Sequence, residues 1–375
     1  MNLRIAGMGW ITPLGRGVDA VWDRLLCGEE ATAQMISDAV GERTYPVYSV
    51  PKSALKDLPP HPRLRRASAI SHFAAAAGLD ALEDAGSTIG TIDMARLALV
   101  FAVSNGGVAY TKRFYHDVAE IGAQSASPLL FPETVLNAPA SHLAAILGIT
   151  GTSYTLVGDG AVGLLALRMA GDVMANQAIE YCLVVGTEEA DWLLCDAYHK
   201  WRLLKKSPPI ELFCQPPRGI ILSEGAGAIL LARNGPAAID MIHPGASFSR
   251  QQQASERMTR ILSDLADEQT KVIIASANGT FVDLAERAAV LQEAPNASVY
   301  APKAALGESV GASAIWQVIV AAQALRTKRL PPLLHAGAEL TPRLSAPLVS
   351  EISAKSAIVT CCSLNQQMAG LCMSV

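Results

Sequence analysis

Residues 97–107 read LALVFAVSNGG, an unbroken apolar run that ends in a polar, glycine-containing turn. A run of this length without polar alternation is typical of a strand that is covered on both faces of its sheet. Residues 272–280, VIIASANGT, repeat the pattern later in the chain. We therefore expect an α/β layered fold with a weak internal duplication.

Further strand and helix patterns surround these two runs. Strands are expected at residues 3–7, 153–157, 182–185, 220–231 and 357–360, and helices at 67–85, 160–175 and 311–326. Asp159 stands where a side chain would cap the N-terminus of the helix at 160–175. The glutamine-rich stretch 247–256 is expected to be a polar connector, and Pro331 with Pro332 marks a loop near the end.

The composition excludes several classes of protein. Half of the 375 residues are hydrophobic and only 17% are charged, so the chain has the apolar content that a disordered protein lacks. The low charge also suggests that a partner covers part of the apolar surface. With 30 basic and 34 acidic residues, a formal net charge of −4 and no broad basic footprint, we expect no nucleic-acid partner.

Membrane insertion and metal binding are not expected either. The apolar segment 311–325 is too short to span a bilayer, and the uncharged segment 134–158 is interrupted by polar residues, proline and glycine. The N-terminus lacks the pattern of a signal peptide, so the chain is expected to be cytoplasmic. Its seven cysteines have no CxxC spacing and the histidines do not cluster with them, which indicates reduced thiols without a metal site.

A set of motifs, taken in order, resembles the β-ketoacyl-acyl-carrier-protein synthases, or ketosynthases. These motifs are RIAGMGWITPLG at 4–15, SPLLFPETVLNAPA at 127–140, the run 151–163, EGAGA at 224–228, and the stretches 277–286, 302–314 and, more weakly, 361–370. Together they cover nearly the whole chain. The resemblance implies the thiolase fold, with two duplicated halves, residues 1–235 and 236–375, in an αβαβα layered arrangement, and a dimer.

The family works with a cysteine nucleophile at a helix N-terminus and two histidines. The helix dipole and the free N–H groups favour the thiolate and stabilise the oxyanion of acyl transfer. Aligned on the family's glycines, this chain has Gly160 where the cysteine belongs, Asn278 at the first histidine and Glu308 at the second. These three residues cannot support the family's acyl transfer and decarboxylation. Glycine has no side chain to acylate, and asparagine transfers no proton near neutral pH. A glutamate carboxylate repels the carboxylate of a malonyl thioester.

Other family positions are kept. Glu224, Lys303, Asp283 and Glu286 match the family's residues, and Glu308 can form a buried ion pair with Lys303. Asp283 and Glu286 can also be read simply as early acidic residues of a helix. The family's glycine-rich loop, which gates the acyl pocket, corresponds here to LNQQMAG at 364–370, where side chains replace most of the glycines.

The resemblance therefore suggests a non-catalytic subunit similar to a chain length factor. Such a subunit pairs with an active ketosynthase as a heterodimer, or a heterotetramer, and binds the acyl carrier protein through that complex. It shapes the tunnel that limits the length of the polyketide or polyene chain. Aryl polyene and other type II polyketide pathways are suitable contexts, although chain length factors usually carry glutamine where Gly160 stands. Tunnel or interface candidates, which can also be read as plain core, are Phe114, Leu130, Phe131 and Pro132. No cofactor is expected.

Two alternatives remain open. An enzyme with altered chemistry on the same fold could use Asp159, Glu308 or Glu224 as an acid or base in decarboxylation or hydrolysis. A purely structural or carrier-docking module is the third interpretation.

Overall fold

The computed structural model of the protein describes residues 3–89, 91–268, 270–337 and 349–375. Its strands are β1 (Leu3–Thr12), β2 (Gly15–Arg16), β3 (Gln34–Ser37), β4 (Thr44–Tyr48), β5 (Leu97–Val103), β6 (Ser153–Val157), β7 (Tyr181–Glu188), β8 (Leu222–Ser223), β9 (Gly225–Ala232), β10 (Ala237–Ile242), β11 (Ala246–Ser247), β12 (Val272–Ile274), β13 (Ser298–Tyr300), β14 (Arg329–Leu330), β15 (Ser350–Glu351), β16 (Ser356–Cys362) and β17 (Gln367–Ser374). Its helices are α1 (Val18–Leu26), α2 (Ala69–Ile89), α3 (Val108–Ile121), α4 (Ala138–Leu147), α5 (Val162–Met174), α6 (Trp192–Lys200), α7 (Gln252–Leu265), α8 (Phe281–Glu293), α9 (Lys303–Leu306) and α10 (Ser313–Thr327).

The strand order shows the internal duplication directly. In the first half the order is β1-β9-β7-β5-β6, and in the second half it is β10-β17-β16-β12-β13. In both halves the equivalent strand, β5 or β12, pairs in parallel with its two neighbours, while the strands nearer the centre pair antiparallel. The duplication expected from the repeated apolar runs is therefore confirmed.

Helices cover both faces of each half. Helix α2 packs on β1, β7 and β9, whereas α5 and α10 contact each other and lie between the two halves. Helices α7 and α8 cover the outer face of the second half. The two halves are not separate sheets, because β10 pairs with β1 on one side and β17 on the other and joins them into one twelve-stranded sheet.

Close packing explains the two glycines of the motif at residues 7–9. A Cβ added at Gly9 would lie 2.0 Å from the carbonyl oxygen of Ala77, and one at Gly7 would lie 2.2 Å from that of Ala81. Only glycine lets the alanine-rich face of α2 approach the backbone of β1 this closely. The opening motif and the alanine-rich helix therefore specify one another.

Three expected elements differ from the structure. The expected connector at 247–256 includes the start of α7, because Ala254, Met258 and Ile261 give that segment a buried apolar face despite its glutamines. The strand expected at 220–231 is divided into β8 and β9 at Glu224, whose carboxylate accepts backbone N–H groups of the neighbouring loops. The helix expected from residue 160 begins at Val162.

Within the described ranges, the helices are all too short or too polar to cross a bilayer.

Candidate functional site

The position expected for the nucleophile lies in the turn between β6 and α5. Gly160 is buried there, and a Cβ added to it would lie 3.5 Å from both Cα and Oγ of Ser363, which is ordinary van der Waals contact. Space for a side chain therefore exists at this position, so crowding does not explain the glycine there.

Asp159 does not cap the following helix. The N-cap of α5 is Ala161, which makes no side-chain capping bond. The Asp159 carboxylate instead accepts the backbone N–H groups of Asn365, at 2.5 Å, and of Gly160. The expected cap was wrong because the loop at 363–367 takes up this carboxylate, a contact between residues 206 positions apart.

The loop at 363–367 is held to the start of α5 by two more hydrogen bonds. The Ser363 hydroxyl oxygen accepts the backbone N–H of Ala161 at 2.7 Å, and the Gln367 side-chain oxygen accepts the N–H of Asp159 at 3.1 Å. In the family resemblance, this loop is the mobile gate and these helix N–H groups serve acyl transfer. Here side chains of the loop accept hydrogen bonds from backbone N–H groups at the start of α5, and these bonds hold the loop against the helix.

The two positions expected for histidines hydrogen bond to each other. Asn278 donates from Nδ2 to Oε2 of Glu308 at 2.7 Å, and Lys303 donates from Nζ to the same oxygen at 2.8 Å. Each of the three residues is at most 2% exposed. The expected Lys303–Glu308 ion pair is thus present, and Asn278 completes a static polar cluster.

Charge interactions within this cluster favour the charged form of Lys303. Burial lowers the pKa of Lys303, but the adjacent Glu308 carboxylate more than compensates, so the pKa lies above its ordinary value. Within the described residues, Oε1 of Glu308 has no hydrogen-bond partner. Lys303 and Glu308 therefore form a buried ion pair, in which the carboxylate keeps the Lys303 ammonium charged.

A thiol that sequence reasoning did not single out lies beside the vacant position. Cys361 donates its Sγ hydrogen to the carbonyl oxygen of Gly160 at 3.0 Å and is fully buried. Burial raises its pKa to about 12, opposed by the charge of Lys303. A thiol with such a pKa stays neutral, so Cys361 does not replace the missing nucleophile. Cys361 and Gly160 are 201 positions apart in the sequence, which explains why no local pattern revealed this contact.

The retained carboxylates hold loops around the site. Asp283 accepts the N–H groups of Phe213, Asn278 and Gly279, and burial raises its pKa to about 6. Glu286 accepts hydrogen bonds from the hydroxyls of Ser276 and Thr360, and burial raises its pKa as well. Glu224 binds backbone N–H groups of Val50 and Ala190, and burial raises its pKa too.

An open cavity of about 660 Å³ leads to Asp159. It lies between α6 and the loop at 363–367, and its lining includes Asn105, Tyr198, Trp201 and the amide side chains of residues 365–367. Asp159 is the one carboxylate among the described residues of this lining, whereas Glu308 lies outside it. Burial raises the pKa of Asp159 to about 6.

The four tunnel or interface candidates lie together on the molecule but differ in exposure. Phe114 of α3 contacts the ring of Phe131 with centroids 5.7 Å apart, and Phe131 is 57% exposed. Pro132 is also exposed, whereas Leu130 is buried. Leu130 is thus a core residue of its segment, and the others line a surface.

In the described parts of the chain, no three histidine, cysteine or carboxylate side chains form a group that could hold a metal ion.

Two family models match this chain. Residues 2–237 match "Beta-ketoacyl synthase, N-terminal domain" and residues 233–337 match "Beta-ketoacyl synthase, C-terminal domain". The chain belongs to the β-ketoacyl synthase family. The ketosynthase resemblance of the ordered motifs is thereby confirmed.

The curated relatives are 3-oxoacyl-[acyl-carrier-protein] synthases. Synthase 2 of Vibrio harveyi is 23% identical over 365 residues, covering 88% of this chain and 87% of that protein. Synthase 2 of Vibrio cholerae is 24% identical over 187 residues, a match that spans 50% of this chain and 45% of that protein.

The solved structures share the fold at low sequence identity. A β-ketoacyl synthase from Burkholderia phymatum has a TM-score of 0.86 at 19% identity, covering 99% of this chain and 98% of that one. The ishigamide ketosynthase/chain length factor has a TM-score of 0.85 at 19% identity, covering 100% and 98%. The ketosynthase ApeO in complex with its chain length factor ApeC, from Xenorhabdus doucetiae, gives 0.81 at 17%, covering 100% and 98%. The expected thiolase-like fold is confirmed.

We predict that Gly160→Cys folds but gains no acyl-transfer activity. The new Cβ fits beside Ser363, while Asn278 and Glu308 still supply no imidazole and Asp159 places a carboxylate next to the thiol. The measurement is intact-protein mass after incubation with an acyl-carrier-protein thioester, with Gly160→Ala as the folding control. Rapid acylation of the cysteine variant at a rate typical of a ketosynthase would contradict this.

Asp159 should make stability depend on pH. Because its folded-state pKa is raised from 3.8 to about 6, the folded state binds more protons than the unfolded state in this interval, so stability falls as pH rises from 4 to 6. Relative to Asp159→Asn, the wild-type chain should lose about 2 kcal/mol across this window. Urea unfolding at pH 4, 5, 6 and 7 measures the difference; parallel curves for the two proteins would rule out the shift.

Proposed function

We propose that this chain is a non-catalytic ketosynthase-like subunit, similar to a chain length factor, that pairs with an active β-ketoacyl-acyl-carrier-protein synthase. One observation carries the proposal. At the three positions where the family needs a thiol and two imidazoles, this chain has Gly160 and a closed hydrogen-bonded pair, Asn278 and Glu308. The hydrogen bonds that hold the loop at 363–367 to the start of α5 support the proposal, since a subunit that accepts no substrate at Gly160 needs no mobile gate beside it.

The two outer edges of the sheet differ, and the difference favours β6 as the place where the partner pairs. At the β13 edge the side chains of Val299 and Tyr300 are buried. At the β6 edge Tyr154 is 45% exposed and Val157 is 52% exposed, and within the described ranges no further strand continues the sheet. An exposed apolar edge of this kind is a template for pairing with another chain.

A second set of exposed apolar side chains belongs to α3 and to the segment that follows it. They include Tyr115, Leu129 and Phe131, at 63%, 60% and 57% exposure. Gly158 at the end of β6 donates its N–H to Val103, which connects the strand to the loop that opens α3. We propose that Phe114, Phe131 and Pro132 face the partner and that this segment, with Leu130 beneath it, limits the acyl tunnel by steric contact. The acyl carrier protein would then bind through the complex.

Co-expression with an active β-ketoacyl-acyl-carrier-protein synthase of the same organism tests the proposal. We expect a stable heterodimer on size exclusion, condensation activity in the complex, and none in this chain alone. Replacing Phe131 by alanine should lengthen the products while the complex stays intact, and Met35→Ala, at a similarly exposed apolar site on β3 of the small sheet β3-β4-β8, is the control. A substrate adduct on the isolated chain during turnover would refute the non-catalytic role.

Altered chemistry on the same fold is the second candidate, and one observation favours Asp159 for it. Asp159 borders the 660 Å³ cavity with a raised pKa of about 6, which suits an acid or base near neutral pH, whereas Glu308 is buried and paired. Decarboxylation of a malonyl thioester by the isolated chain, lost in Asp159→Asn, would support this candidate instead.

A further inference from the structure

The exposed turn that carries Phe131 is anchored by a carboxylate. Among the residues of the 3-10 turn Phe131–Thr134, the buried one is Glu133, at 6% exposure. Its neighbours Leu129 and Phe131 are more than half exposed. Leu129 and Phe131 thus point outward while the charged side chain of Glu133 points inward, the reverse of the usual arrangement.

Glu133 connects the turn to two elements of the body. Its Oε1 lies 2.6 Å from Nε2 of His142 on α4, and its Oε2 accepts the backbone N–H of Ser68 at 3.4 Å. The turn is also close to the loop before α3, because a Cβ added at Gly107 would lie 3.1 Å from the Glu133 carbonyl oxygen. Nδ1 of His142 has no hydrogen-bond partner within the described residues, so Glu133 is the polar contact that orients this ring.

Helix α4 is a firm support for this contact. Leu143, one residue after His142, is fully buried, and its side chain lies 2.9 Å from where a Cβ of Gly78 in α2 would be. A larger residue at position 78 would push the two helices apart. His142 therefore projects from a helix whose position is fixed by close packing against α2.

A short hydrogen bond between a carboxylate and an imidazole is directional, whereas apolar packing tolerates sliding of the groups in contact. We infer that Glu133 and His142 are a positioning pair that fixes the Phe131–Thr134 turn on α4 and thereby sets where Phe131 stands. This inference rests on the proposed function: the pair determines chain length indirectly, because it holds the tunnel-limiting side chain of Phe131 in one position without contacting the acyl chain.

Hydrogen exchange and product analysis together test the pair. The variants are Glu133→Ala, His142→Ala, the double variant, and the exchanged pair Glu133→His/His142→Glu; Glu120→Ala, at an exposed site on α3, is the control. We expect amide exchange in residues 127–137 to become about tenfold faster in each single variant, as for loss of one charge-assisted bond. The double variant should resemble the singles, and the exchanged pair should recover part of the protection.

In the complex with an active ketosynthase, the single variants should broaden the distribution of product lengths while the heterodimer persists. Unchanged exchange in both single variants would overturn the pairing, and faster exchange with unchanged products would overturn its role in length control. If the wild-type chain binds no ketosynthase, the proposed function falls, whereas exchange in the isolated chain still decides on the pair. Should Glu133→Ala fail to fold, Glu133→Gln, which keeps an acceptor oxygen, should show a smaller acceleration, and no acceleration would count against the pair.

Discussion

Replacing Tyr154 and Val157 together by glutamate is expected to weaken binding of a partner ketosynthase at least about a hundredfold. Both side chains are exposed on the outer edge strand, so the substitutions leave the core of this chain unchanged. In a complex, however, two carboxylates would be moved from water into an apolar contact without a compensating charge, which costs several kcal/mol. Size exclusion of the co-expressed pair and titration of the purified subunits measure the loss.

The matched control is Met241→Glu. Met241 is 43% exposed on β10, a strand in the middle of the sheet, so the control adds a charge to an exposed apolar site away from the β6 edge. We expect it to bind the partner like the wild type, and we expect the melting temperatures of all three chains to agree within a few degrees. Equal affinity of the double variant and the control would mean that β6 is not the pairing edge.

Local patterns in the sequence predicted part of the sheet, whereas its strands β10, β13 and β17 were not expected. Strands such as β5 and β12 are continuous apolar runs because both faces are covered, and this pattern is visible without knowing the partners. Gly160, Asn278 and Glu308 were singled out because each stands within an ordered motif, and their assignment to the family's catalytic positions stays a prediction. The contacts of these residues could be predicted only in part. The ion pair between Lys303 and Glu308 could be anticipated because the two residues are five positions apart.

Contacts across long separations could not be anticipated. Asp159 reads locally as a helix cap, and only the fold brings Asn365 within reach of its carboxylate. The stretch 247–256 looks polar because of its glutamines, although tertiary packing selects the apolar stripe of α7 instead. Glu133 offers no signal at all, since an acidic residue in an exposed turn is ordinarily solvated.

Removing the charge of Lys303 alone should destabilise the chain strongly. Lys303→Met leaves Glu308 buried with only Asn278 as a donor, and breaking a buried ion pair in this way costs about 3–5 kcal/mol. The double variant Lys303→Met/Glu308→Leu removes both charges and should recover most of the loss. Lys271→Met, at an exposed lysine, is the control and should change stability by less than about 0.5 kcal/mol.

The double variant identifies the cause of this loss. If Lys303→Met is unstable because the Glu308 carboxylate is left buried without a counter-charge, replacing Glu308 by leucine as well should restore most of the free energy of unfolding. A double variant that is as unstable as Lys303→Met, measured by urea unfolding, would mean that Lys303 acts through packing of its stem and not through the charge of Glu308. The distinction bears on function, because a carboxylate that is paired with Lys303 and Asn278 is not available to a substrate.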